Sequence, residues 1–234
     1  MNEIISSPIF GVLTSIIAYQ IGIFIKQKLK LSIFNPLLIA IIILIVFCTK
    51  FNIDYKDYNN GGQVISFFLA PATVALALPL YKKFSLFKQN AFPILVGIFC
   101  GATSGILCVI ALAKAFGLSG VLTKSLIPKS ITTPIGMALS SQIGGEPSIT
   151  VVAIIITGIL GSIIGPFLYK VLKIKDKVAM GIAMGSASHA VGTAKAMEIG
   201  ETEGAMSSLT IAISGIITVI IAPIIWNIFA RFFN

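Results

Sequence analysis

Long apolar runs alternate along the chain with short clusters of charge. The stretches free of Asp, Glu, Lys and Arg that are long enough to matter are 4–25, 31–49, 58–81, 89–113, 130–145, 147–169, 178–194 and 204–230. Six of them hold 19 to 27 residues. A helix crosses a bilayer with about 20 apolar residues rising 1.5 Å each, so these six predict spanning helices. The other two, 130–145 and 178–194, hold 16 and 17 residues. As straight helices they reach about 24–26 Å, short of a hydrocarbon core of about 30 Å. They are also rich in Ser, Thr and Gly, and polar segments of that kind persist at membrane depth only inside protein or beside a cavity. Pro71 and Pro79 predict a kinked or unwound third span. Gly97, Gly101 and Gly105, then Gly161 and Gly165, then Gly181 and Gly185 recur every four residues. Small residues at that spacing read as helix-packing faces.

Composition agrees with lipid as the main solvent. Of 234 residues, 56% are hydrophobic and 11% charged, against about 25% charged in soluble domains. That excludes a soluble enzyme, a secreted disulfide scaffold and a disordered chain. The net charge is +9, but the lysines sit in short loops, as the positive-inside rule produces. No basic patch interleaves with aromatics, so no nucleic-acid partner is expected. Cys48, Cys100 and Cys108 lie inside apolar runs without metal-site spacing and read as small buried hydrophobes. Glu3 is followed by an apolar run with no Lys or Arg ahead of it, which favours a span over a cleavable signal peptide.

Charge sets an expected orientation. Lys26, Lys28, Lys30, Lys82, Lys83, Lys88, Lys170, Lys173, Lys175, Lys177 and Arg231 are read as cytoplasmic. The loop with Lys50, Asp54, Lys56 and Asp57 and the loop with Glu198, Glu201 and Glu203 are read as external, the three glutamates solvated. Alternation then makes 130–145 a re-entrant segment that enters and leaves on one face. The expected fold is an all-α polytopic membrane protein, one integral membrane domain over 1–234, of about seven transmembrane helices plus that segment. Lys114, Lys124 and Lys129 fall on the outer side in this scheme. If 118–145 crosses fully, there are eight spans and the N-terminus lies inside. The third span and 178–194 are both interruptible, run in opposite directions, and each precede a long span. That pattern predicts inverted repeats with broken helices, with halves near 1–117 and 118–234.

Two polar segments carry candidate chemistry. In Lys129-Ser-Ile-Thr-Thr-Pro134, a lysine precedes three hydroxyls and a helix-starting proline. Ser130, Thr132 or Thr133 as a cap, with free helix N–H groups and the Lys129 charge, makes an anion cradle. The bland alternative is an interfacial cap beside a snorkelling lysine. In Ser188-His-Ala-Val-Gly-Thr193, His189 is the only histidine. An ionisable group in the membrane is a functional hypothesis by default; it donates to a substrate carboxylate or passes a proton, or else is a neutral histidine satisfied by a neighbour. Gly192 and Thr193 suit an unwound stretch beside it. Gly144-Gly145-Glu146-Pro147-Ser148 reads as a turn and helix start. Asp176 reads as a local surface pair. No Walker, HExxH or GxSxG motif appears, so neither an ATP-driven motor nor an enzyme is expected, and no cofactor or metal.

These segments resemble one known family. Lys129-Ser-Ile-Thr-Thr-Pro-Ile-Gly-Met-Ala-Leu-Ser140, Ile143-Gly-Gly-Glu-Pro-Ser-Ile-Thr150, Thr157-Gly-Ile-Leu-Gly-Ser-Ile-Ile-Gly-Pro166, Gly181-Ile-Ala-Met-Gly-Ser-Ala-Ser-His-Ala-Val-Gly-Thr-Ala-Lys-Ala-Met-Glu-Ile-Gly200 and Gly204-Ala-Met-Ser-Ser-Leu209 closely resemble the CidB/LrgB family. The likeness covers nearly the whole chain and is most specific over 125–210. The resemblance implies a holin/antiholin-like modulator of murein hydrolase export and autolysis in the bacterial plasma membrane. It also implies a small membrane partner of the CidA/LrgA type and leaves a homo-oligomer open. Through the related plastidic glycolate/glycerate translocator and bacterial pyruvate transport, it implies carriage of small 2-oxo or 2-hydroxy monocarboxylates. By position, the signature falls on Lys129, Ser130, Thr132, Thr133, Pro134, Gly144, Gly145, Pro147, Ser148, His189, Gly192 and Thr193, with Ser188 beside them. Ala190 where the family has Gly, and Lys195 within a usually small-residue run, bear on local helix geometry. Two functions follow: a carrier holding a carboxylate between the Lys129 cluster and His189, or a pore or scaffold without a solute cycle.

Overall fold

The computed structural model describes residues 5–29, 34–75 and 77–233; Glu3 and Lys30 lie outside them. The described residues are mainly helical, with no strand among them. They form two compact units, Met1–Ala75 and Leu76–Asn234.

In the first unit α1 (Pro8–Leu29), α2 (Pro36–Lys50) and α3 (Tyr55–Phe67) pack together. Asn35 caps α2, its Oδ1 accepting from Leu37 N at 2.8 Å, and Pro36 starts the helix where a missing N–H costs nothing. Glycines set the contacts: a Cβ on Gly61 would lie 2.5 Å from Gly11 Cα, and one on Gly22 2.5 Å from the Pro36 carbonyl. The run expected as one third span is instead α3, α4 (Leu69–Ala75) and, opening the second unit, α5 (Ala77–Lys82) and α6 (Phe84–Gln89). Pro71 has no N–H for the carbonyl four residues back, and the helix stops at Phe68.

Three long helices frame the second unit: α7 (Ala91–Ala115), α10 (Pro147–Val171) and α12 (Glu201–Phe229). With α1 they are the four described helices long and apolar enough to cross a membrane. Between α7 and α10 lie α8 (Gly120–Leu126) and α9 (Thr133–Ile143). At about 10 and 16 Å, neither spans a bilayer. They form a hairpin, since a Cβ on Gly145, beyond α9, would lie 2.8 Å from Ser125 N in α8. Its tip is the segment 128–132. This agrees in form with a segment that enters and leaves at one end.

The second short segment departs from the reading. It lies in α11 (Lys177–Ile199), and the chain reverses at His189, whose φ of 42° and ψ of −133° are not helical. A Cβ on Gly192 would lie 2.8 Å from the Met184 carbonyl, although eight residues of straight helix separate atoms by about 12 Å. Ala196 likewise shares a buried cluster with Met184 and Tyr169. The first half runs along α12, with Gly181 against Glu203 and Gly185 against Ser207. The second half returns, with Thr193 Oγ1 2.7 Å from Ser207 Oγ and Met197 against Gly204. So 178–194 is a folded-back hairpin, not a crossing helix.

This reversal corrects the expected sidedness. Lys83 pairs with Glu201 at 3.3 Å, so the glutamate loop shares an end with lysines read as lying on the opposite face. At the other end, Lys114 donates to the Phe232 carbonyl and Lys124 sits 5.3 Å from the Trp226 ring centre, which brings Arg231 to the end of Lys114 and Lys124. Nor is Glu203 solvated: it is 5% exposed on the first turn of α12. α7 leads into the α8–α9 hairpin, and α10, running the opposite way, leads into the hairpin of 177–199.

Candidate functional site

The two hairpin tips meet a single cavity of about 1040 Å³ between α7 and α10. Lys129 and Ser130 reach it from the first hairpin, and Ser186, Ala187 and Ser188 from the second. Cys108 on α7 and Thr157 on α10 complete this end. Lys129 Nζ donates to Ser130 Oγ at 3.1 Å. Ser188 is 1% exposed, and neither its hydroxyl nor that of Ser186 has a hydrogen-bond partner. A buried hydroxyl without a partner costs about 1–3 kcal/mol, so two of them lining one cavity with a lysine mark a place where a polar ligand offsets a standing cost. Asp176, the other charged lining residue, caps α11 through Ala179 N at 2.7 Å. Twelve residues of helix, about 18 Å, separate it from Ser188. The Lys129 end therefore carries one uncompensated positive charge, which suits a monoanion.

The other nominated residues hold the tips in place. His189 does not line the cavity: its Nε2–H donates to the Ile154 carbonyl at 2.9 Å, and Gly158 leaves room for the ring, since a Cβ there would come 2.6 Å from Cε1. Thr193 Oγ1 donates to the His189 carbonyl at 2.9 Å and meets Ser207. Gly192 lets the returning half lie on Met184. Thr132 takes the N-cap position of α9 but makes no side-chain cap, and Pro134 lies in the first turn. Neither Thr132 nor Thr133 lines the cavity. Gly144 ends α9 in the left-handed region, φ 79°, and Gly145 N donates to the Ser140 carbonyl at 2.7 Å. Ser148 Oγ donates to Glu146 Oε1 at 2.7 Å. Gly144 and Gly145 form the turn into α10, whose first turn holds Pro147 and Ser148.

Sequence reasoning passed over a second set. Thr150 Oγ1 donates to the Ser125 carbonyl at 2.8 Å and pairs with Ser140 Oγ at 2.7 Å, while Glu146 N donates to Ser125 Oγ at 2.7 Å. Ser125, Ser140 and Thr150 are fully buried, and together they tie α8, α9 and α10. Gly97, Gly101 and Gly105 also stand differently from the reading. They line the cavity, and a Cβ on Gly105 would meet nothing within 4 Å, so they widen a space rather than pack a helix. Gly161, Gly165, Gly181 and Gly185 do pack closely. The cysteines are not buried: Cys48 is half-buried, and Cys100 and Cys108 are exposed.

Comparison with known proteins bears on the whole chain. The family model described as the LrgB-like family matches residues 15–228. Proteins named Antiholin-like protein LrgB from Bacillus cereus strains B4264 and AH187 are each 38% identical over 218 residues, covering 93% of this chain and 95% of the relative. The same figures hold for the protein of that name from Bacillus anthracis strain CDC 684 / NRRL 3495. No solved structure matches. A match that runs through the cavity, both hairpins and the long apolar helices makes the chain a multi-pass bacterial membrane protein belonging to the LrgB-like family.

Proposed function

We propose that the chain is a secondary carrier of small monocarboxylates, of the pyruvate, lactate, glycolate and glycerate class, and performs no covalent chemistry. The observation that carries this reading is that Ser186 and Ser188, whose hydroxyls have no partner, line the same cavity as Lys129. The carboxylate takes the Lys129 ammonium and the Ser130 hydroxyl, and Ser188 takes the remaining oxygen. Charge-assisted bonds of this kind are about twice as strong as neutral ones.

In this reading the second unit contributes three crossings, α7, α10 and α12, and two re-entrant hairpins of opposite direction, an inverted repeat with its site where the tips meet. The end carrying Lys83, Lys88, Lys170, Lys173, Lys175 and Lys177 faces the cytoplasm, and the cavity reaches Asp176 and Asn90 there. Alternating access follows when one hairpin yields and the other closes. The test is uptake of labelled pyruvate into proteoliposomes. The reading expects saturable uptake that is lost in Lys129→Ala with folding intact; unsaturable uptake, or uptake indifferent to Lys129, refutes it.

A second reading is favoured by the relatives' name, antiholin-like. Here the chain takes part in regulating murein hydrolases and autolysis together with a small membrane partner of the CidA/LrgA type, or as a homo-oligomer, as a pore or scaffold without solute transport. Leakage of a large dye from the same vesicles, without saturation, supports the pore. A carrier that also regulates autolysis retains saturable uptake and leaks no dye.

A further inference from the structure

A three-carbon acid has the bulk of about three water molecules and fills about a tenth of the cavity, taking about 30 Å³ per water. The remainder is mostly apolar and elongated, with Asn90, Ser104 and Tyr169 as its neutral polar lining. Leu160, Ile164 and Leu168 recur every four residues on one face of α10 and cover about 12 Å of its length. The facing wall of α7 is stripped of side chains at Gly97, Gly101 and Gly105, where added Cβ atoms would meet little or nothing. Ile182 and Ala183 on α11 line the same corridor. It leads from the Lys129 end, with its one cation and its unpartnered Ser188 hydroxyl, toward Asp176, and no other charged side chain lines it among the described residues.

We infer that this site binds linear medium-chain monocarboxylates, with the head on Lys129 and Ser130 and the alkyl tail along the α7–α10 corridor. The 12 Å of apolar wall suits a tail of about eight carbons. Such acids occupy the site and exclude the short substrate. The inference rests on the carboxylate reading of the Lys129 end and adds the corridor as a subsite for the tail.

The test reads occupancy without transport. Cys108 lines the cavity beside Lys129, so in a Cys48→Ala/Cys100→Ala protein the rate at which a charged methanethiosulfonate converts it to a mixed disulfide, with release of methanesulfinate, reports whether the head site is filled. Propionate, butyrate, hexanoate and octanoate are each titrated as protectants, with methyl octanoate as the uncharged control. The expected result is a midpoint that falls about fourfold per added methylene, with no protection by the ester. Ala183→Leu narrows the corridor about 7 Å of helix from Ser188, and is expected to flatten the series beyond butyrate while leaving propionate unchanged. A midpoint that does not change with length, or equal protection by the ester, overturns the tail subsite while the carboxylate site stands. Protection by none of the acids, pyruvate included, overturns the carboxylate site itself. If Ala183→Leu does not fold, the length series and the ester decide the matter alone.

Discussion

Gly161 has no room for a methyl group. A Cβ there would overlap Ser188 Oγ, so Gly161→Ala forces the Ser188 hydroxyl and the second tip to shift. We expect the half-saturation for pyruvate uptake to rise about tenfold, the loss of one good hydrogen bond, with a thermal destabilisation of about 1–3 kcal/mol from the overpacked contact. His189 acts on the same tip from behind. His189→Ala removes its bond to the Ile154 carbonyl and should cost about 1–3 kcal/mol. His189→Gly should cost about 1 kcal/mol less than Ala, because glycine relieves the positive φ. Thermal unfolding of the two variants in detergent checks the order, and equal losses count against strain at this residue. Of the site, Lys129, Ser130 and Ser188 were legible in the sequence, since a lysine and hydroxyls in feebly apolar runs need a reason to be there. Ser186 was not. It lies about 200° around the same half-helix from Ser188, against Gly101 of α7 while Ser188 lies against Gly161 of α10, so no face argument joins them and only the cavity between those two helices does. His189 was legible as exceptional, but composition does not tell a ligand from a latch.

The first hairpin depends on three buried hydroxyls. Thr150→Val leaves the Ser125 carbonyl and Ser140 hydroxyl without their partner and should destabilise the protein by about 1–3 kcal/mol, seen as a lower unfolding midpoint, whereas Ser148→Ala on the exposed turn should change little. The second hairpin makes a sharper demand. Single cysteines at Lys173 and Glu198 should label from the same side of the membrane with an impermeant reagent; labelling from opposite sides restores a crossing helix over 178–194. The sequence could not choose between these, because residue count and hydropathy are the same for a short crossing helix and for two half-helices folded together. The residue at the reversal is a histidine with positive φ, where a glycine would have announced the turn. The proline-broken third run was legible, since Pro71 interrupts a helix wherever it is placed. The four-residue glycine spacing was not decisive: at Gly181 and Gly185 it admits α12, and at Gly97 to Gly105 it leaves space for solvent or ligand.

Length and composition were enough for a helical membrane protein, and the family follows from a match along nearly the whole chain. What the carrier reading adds is cooperation: an anion held by two tips that reach the cavity from opposite ends. Neither hairpin alone has both the charge and the free hydroxyl. Cooperation of this kind appears as non-additivity, because groups acting on one ligand couple while independent groups add. The most direct measurement is equilibrium binding of labelled pyruvate to purified wild type, Lys129→Ala, Ser188→Ala and the double variant. We expect each single change to weaken binding about tenfold or more, and the double variant to be little worse than Lys129→Ala alone. Binding that is unchanged by either substitution, or losses that simply add, contradicts a carboxylate held between the tips.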